Sequence, residues 1–217
     1  MVDTSLELSI NTLKNYTLAM IKKCGEAVDN SINSMINKDL EGVRKVIKED
    51  DEIDTLREYI RDRSIELIAL KQPMAKDLRY IYALGNIALD LERIGDYAVN
   101  IAQETLKIGD EAYIKELIDI PKAAKICTDM INDIYKALEN EDEDLCYDIA
   151  KRDDKIDNLY KQIHVDCLEV MNKNSTTINQ GVRLLFVGRY LERIGDHSTN
   201  VCEKIIYAIK GEMVEIG

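Results

Sequence analysis

Leu91-Glu92-Arg93-Ile94-Gly95-Asp96 recurs letter for letter as Leu191-Glu192-Arg193-Ile194-Gly195-Asp196, one hundred positions further along the chain. Each copy runs on to an asparagine four residues past its aspartate, Asn100 and Asn200. Read as helix, Glu, Asp and Asn stand at i, i+4 and i+8, and each step of four rises ~6 Å while turning only ~40°. Each half of the chain then carries a ladder of oxygen atoms along one side of a helix. Leu91, Ile94 and Ala98 fall on the neighbouring face and make the apolar stripe that would hold such a helix to a core.

Working outward, apolar residues keep helical intervals from Leu6 to Met35, and again from Leu40 to about Leu70. Asn37-Lys38-Asp39 interrupts between them, with Asn37 suited to a left-handed helix end. Pro73 suits the first turn of a third helix running to about Leu106. Three helices joined by short turns predict an antiparallel bundle. After Gly109-Asp110 comes a less regular stretch, and Pro121 reopens the pattern with Asp119 as the expected cap. A shift of 103 lays Cys24 on Cys127, Asp39 on Asp142, and Asp50-Asp51-x-Ile53-Asp54 on Asp153-Asp154-x-Ile156-Asp157. The last helix aligns at a shift of 100, so three residues have left the turn before it, as deletions in loops do. The fold predicted is all-α: two tandem three-helix bundles related by an internal repeat, residues 1–109 and 110–217.

Composition agrees with long helices. Among 217 residues, 46% are hydrophobic and 32% charged, with few Gly and Pro and no Trp. A net charge of −12 leaves no basic surplus for a nucleic-acid partner. The five cysteines are an odd, widely spaced set without C-x-x-C, expected as reduced thiols packed like small hydrophobes in a cytoplasmic protein. No apolar run reaches the ~18 residues of a membrane span, and the Met1–Glu7 start does not read as a signal peptide.

Two acidic i, i+4 pairs thus occur in each half: Asp50/Asp54 with Glu92/Asp96, and Asp153/Asp157 with Glu192/Asp196. Asp54 precedes Pro73 by nineteen positions and Glu92 follows it by nineteen, so an antiparallel hairpin sets the two pairs level. Four carboxylates at one level repel unless a cation sits among them. An oxygen-only donor set suits magnesium, manganese or iron better than a structural zinc. The opposing reading is a solvated helix flank whose acids merely pair with Arg93 and Arg193. The spacing leaves both open. Ferritin-type di-iron ligation is excluded, because neither His164 nor His197 has a Glu three residues before it. Gly181, Gly188 and Gly195 lie seven apart and read as close approach of a neighbouring helix. No phosphate loop, nucleophile elbow or Cys/His pairing occurs, so an enzyme is not expected.

The twin Leu-Glu-Arg-Ile-Gly-Asp motifs, the preceding Asp-Asp-x-Ile-Asp clusters and Gln72-Pro73-Met74-Ala75-Lys76-Asp77-Leu78-Arg79 together resemble the PhoU family of phosphate-transport accessory proteins. The resemblance covers almost the whole chain. It implies a non-enzymatic regulator of phosphate uptake and phosphate-starvation signalling, cytoplasmic and dimeric. The partners it implies are a phosphate ABC transporter ATPase and a sensor histidine kinase. It also implies multinuclear metal clusters, iron first and zinc, manganese or magnesium after it. These would be held by Asp50, Asp54, Glu92, Asp96, Asp153, Asp157, Glu192 and Asp196, with Asn100 and Asn200 as accessory ligands. A metal-dependent hydrolase or metal-storage bundle is the alternative. Thr176-Thr177 and Asn179 depart from Asp77 and Arg79 of the first half, so any role of Arg79 is not duplicated.

Overall fold

The computed structural model describes residues 4–217, all of whose long elements are helices. Met1–Asp3, part of the start that does not read as a signal peptide, lies outside the described residues. The first half comprises α1 (Thr4–Asn37), α2 (Leu40–Lys71) and α3 (Lys76–Ile108). The second comprises α4 (Asp119–Asn140), α5 (Glu143–Ala150), α6 (Asp153–Lys173) and α7 (Ile178–Lys210), with a 3-10 turn at Ser175–Thr177. The all-α tandem arrangement is therefore as the repeat predicts. Within each half the helices pack as an antiparallel bundle, and the halves meet where α1 lies on α4 and α3 lies on α7. Leu13, Ile21, Cys24 and Val28 of α1, Ile87, Leu91 and Ile94 of α3, and Ile131 and Ile134 of α4 belong to one buried apolar core shared by both halves.

Local chemistry repeats along with the fold. At the end of α1 it is Lys38, not Asn37, that takes the left-handed conformation (φ 53°), and Asp39 N–H donates to the Ser34 carbonyl at 2.9 Å. Glu141 (φ 53°) and Asp142, bonded to Ala137, repeat that closure after α4. The aspartates then cap the next helices, Asp39 accepting from Gly42 N–H at 2.9 Å and Asp142 from Leu145 N–H at 3.0 Å. Cys24 and Cys127 donate to the carbonyls of Leu91 and Leu191, at 3.2 and 3.4 Å, behind the two motifs.

Three boundaries differ from the sequence expectation. Pro73 does not open α3; it is buried in the turn, and the helix starts at Lys76 after Ala75 with φ 44°. Asp119 lies inside α4, with Ile118 before it and Pro121 in its first turn, where the missing N–H costs nothing. The middle helix of the second half is broken at Lys151-Arg152, opposite the unbroken Lys48-Glu49 of α2. Arg152 there reaches Asp133 of α4 at 2.7 Å. The first half has Asn30 and Glu49 at the matching places, and they line a polar groove of about 300 Å³ together with Asn33, Asn37 and Lys45.

Candidate functional site

Asp50 and Asp54 lie on α2, and Glu92 and Asp96 on α3, level with one another where the two helices pack. Asp50 feels the charges of Asp54, Asp96 and Glu92, and with burial acting first these push its carboxyl up to about 6. Asp153 of α6 stands in the same relation to Asp157, Glu192 and Asp196, and burial plus those charges push it up to about 7. Glu192 and Asp196 are also raised, by burial first. Asp153 and Asp154 sit in the first turn of α6, where a helix N-terminus favours anions; burial and neighbouring acids outweigh that. Asp54 is exposed and its counterpart Asp157 half-buried. Asn100 and Asn200 are half-buried one turn beyond the aspartates.

The glycine of each motif makes this closeness attainable. A Cβ on Gly95 would stand 3.0 Å from Ile53 Cδ1 and 3.3 Å from Asp50 Oδ1. On Gly195 it would stand 3.0 Å from Ile156 Cδ1 and would overlap Asp153 Oδ1 outright. Gly188 and Gly181 receive Tyr160, Ile163 and Met171 of α6 in the same way. Close approach of the neighbouring helix is thus the reason for the stripe along α7, and at Gly195 the space is taken by a carboxylate.

Arginines answer part of the charge. Arg93 Nη1 lies 3.0 Å from Asp96 Oδ2 and its Nε 3.6 Å from Glu92 Oε2, while Arg57 of α2 approaches Glu92 at 3.9 Å. Arg193 repeats the first two contacts at 2.6 and 3.5 Å, but the third cation is Arg189 of α7, 2.5 Å from Glu192 Oε1. Arg189 lies over the ring of Tyr160, the residue that takes the place of Arg57. As the side chains stand, no three Asp, Glu, His or Cys groups among the described residues are gathered tightly enough to enclose one ion. Asp153 Oδ1 and Glu192 Oε2 are nevertheless buried without a hydrogen-bond partner. Oxygen donors, an orphaned lone pair on Asp153 and carboxyls raised by burial and by one another's charge fit a hard cation; the arginine-held rotamers would have to turn inward to close on it.

Sequence reading missed a second charged centre, on the seam between α3 and α7. His197 Nδ1 lies 2.9 Å from Asp90 Oδ1, and Lys204 Nζ 2.7 Å from Asp90 Oδ2. Burial raises the Asp90 carboxyl, but hydrogen bonds from His197 and Lys204 outweigh it and hold it below the usual range. Tyr97 stacks on Tyr190 at 5.9 Å, and buried Glu104 pairs with Arg183 at 3.1 Å. The pairs advance by seven along α3 (90, 97, 104) and retreat by seven along α7 (197, 190, 183), the signature of antiparallel packing at heptad spacing. That register was available in the sequence only once the two helices were known to face each other.

A tandem helical repeat with a carboxylate quartet between the second and third helices of each half is the class that fold and site define. The sequence model of the PhoU domain matches it twice, over residues 17–105 and 120–205. The phosphate-specific transport system accessory protein PhoU homolog of Clostridium acetobutylicum is 36% identical over 97% of this chain and 96% of its own. PhoU homolog 1 of Thermotoga maritima is 33% identical over 98% and 92%. Crystal structures of PhoU from Streptococcus pneumoniae and Pseudomonas aeruginosa superpose with TM-scores of 0.91 each. They are 25% and 26% identical, cover 97% and 95% of this chain, and are themselves covered over 99%. The chain belongs to the PhoU family. No helix among the described residues is long and apolar enough to cross a membrane.

Proposed function

We propose that this protein is a non-enzymatic regulator of phosphate uptake and phosphate-starvation signalling. It acts as a cytoplasmic adaptor between the ATPase of a phosphate ABC transporter and a sensor histidine kinase, and works as a homodimer. The observation that carries this reading is the end-to-end match to proteins named as accessories of phosphate-specific transport. The architecture is consistent with an adaptor: helices more than thirty residues long offer extended side faces. The site itself is an assembly of carboxylates and arginines, a set suited to holding charge.

The quartets Asp50/Asp54/Glu92/Asp96 and Asp153/Asp157/Glu192/Asp196 hold metal in this reading, iron first, with Asn100 and Asn200 as outer ligands. Bound there, a cation would supply positive charge that offsets the burial and the mutual repulsion raising Asp50 and Asp153. Support comes from the orphaned Asp153 Oδ1 and from the repetition of the whole set.

Affinity capture from cells grown in high phosphate tests the adaptor role. The expected result is recovery of the transporter ATPase and the kinase with the tagged chain, and constitutive starvation signalling when the chain is deleted. Neither partner recovered, with signalling unchanged on deletion, would overturn it.

A further inference from the structure

Cys24 and Cys127 are accounted for by their bonds to Leu91 and Leu191, and Cys167 is buried on α6 near Lys115. Cys146 and Cys202 are different, because they face each other. Both are fully buried, Cys146 on α5 and Cys202 on α7, where those two helices pack together, and each thiol acts on the other. Cys146 in turn donates to the Asp142 carbonyl at 3.5 Å. The repeat supplies an independent view of the same place. Cys146 matches Val43 and Cys202 matches Ala102, and Val43 and Ala102 pack together in a small cluster of their own. Those two positions are thus facing neighbours in both halves. Valine against alanine fills the space in one half, so packing alone does not require two thiols in the other.

We propose that Cys146 and Cys202 are a redox-modification site, a dithiol that a hydroperoxide converts to a disulfide stapling α5 to α7. The chemistry balances in two steps. A thiolate attacks the terminal peroxide oxygen, the O–O bond breaks, and a sulfenic acid and an alcohol (water, from hydrogen peroxide) form. The second thiol attacks that sulfur, the S–S bond forms and water leaves, so two sulfurs lose two electrons and the peroxide is reduced. A reducing thiol reverses it.

Both thiols are shut off from solvent in the closed protein, so the reaction proceeds through local opening. α5 is the element built to open: eight residues, bounded by the turn at Glu141-Asp142 and by the break at Lys151-Arg152. Oxidation fixes it, and with it the break immediately before Asp153.

The test treats the full chain with hydrogen peroxide in dilute urea, quenches with a maleimide, and maps disulfides by mass spectrometry. The paired variant Cys146→Val/Cys202→Ala, which copies the packing of Val43 and Ala102, serves as a folded control. The expected result is a Cys146–Cys202 cross-linked peptide in most chains, absent from the control and lost on adding dithiothreitol. Amide exchange in α5 should slow by roughly tenfold or more in the oxidised protein. Maleimide labelling of both thiols under conditions where peroxide yields no cross-link would overturn the proposal. So would separate oxidation of each thiol to the sulfinic acid.

Discussion

In the first half Glu92 draws its second arginine from the facing helix, Arg57 of α2; in the second, Glu192 draws it from its own helix, Arg189. Tyr160 stands where Arg57 stood and carries the Arg189 guanidinium on its ring, while Leu89, half exposed, stands where Arg189 does. The repeats keep eight carboxylates and two glycines in register and relocate the cation that answers them. Acid placement is therefore the stricter requirement of the two. The second quartet is also the tighter one: Asp153 is pushed higher than Asp50, presses on Gly195, and has an oxygen with no partner.

The largest expected difference between the halves lies at those glycines. Gly195→Ala places a methyl against Asp153 Oδ1 and Ile156 Cδ1, forcing α6 and α7 apart, and should cost about 2–3 kcal/mol in urea unfolding. Gly95→Ala meets Ile53 at 3.0 Å and recovers about 1 kcal/mol of helix propensity, so it should be close to neutral. Equal losses at the two sites would show that the two helix contacts are equally tight.

Next comes the seam. Asp90→Ala leaves His197 and Lys204 without their shared carboxylate and should cost about 2 kcal/mol, whereas exposed Asp54→Ala should cost less than about 0.5 kcal/mol. Urea unfolding of the two variants side by side checks the order.

A smaller effect is expected in the pH profile of metal-free protein. Asp153 titrates near 7 when folded against ~3.9 unfolded, so the native state binds the extra proton between those values. Stability should then fall as pH rises from about 4 to 7, and hold steady above. Asp153→Asn should remove that fall, gaining about 1–2 kcal/mol at pH 8 once screening of a half-exposed group is allowed for. Asp50→Asn should remove a smaller fall ending near pH 6. Thermal melts across pH, with chelator present, check both the sign and the order.

The smallest change is expected from Tyr160→Arg/Arg189→Leu, which rebuilds the first half's arrangement in the second. The exchange should alter stability by less than about 1 kcal/mol in the same urea titration, because it only returns the cation facing Glu192 from α7 to α6.

Much of this was legible beforehand. The hexapeptide repeat fixed the tandem halves, and equal spacing about the Pro73 turn placed Asp54 and Glu92 level. What escaped depended on facing partners. The break at Lys151-Arg152 lies in a charged run, Lys151 to Lys155, that has an equally charged counterpart in the unbroken α2 (Lys48 to Glu52), and it is held by Arg152 reaching Asp133, a contact across helices. His197 meets its partner only in the fold, because Asp90 is 107 positions away. Pro73 misled because the turn needed Gln72 and Ala75 at positive φ before α3 could begin.

On the function proposed here, each quartet is a cation site in its own right. Elemental analysis of the native protein, beside Glu92→Ala/Asp96→Ala and Glu192→Ala/Asp196→Ala, tests it most directly. Several tightly held metal atoms per chain are expected, with each double variant losing those of its own half alone. Native protein that takes up no metal, even after reconstitution with iron, manganese and zinc, would contradict it.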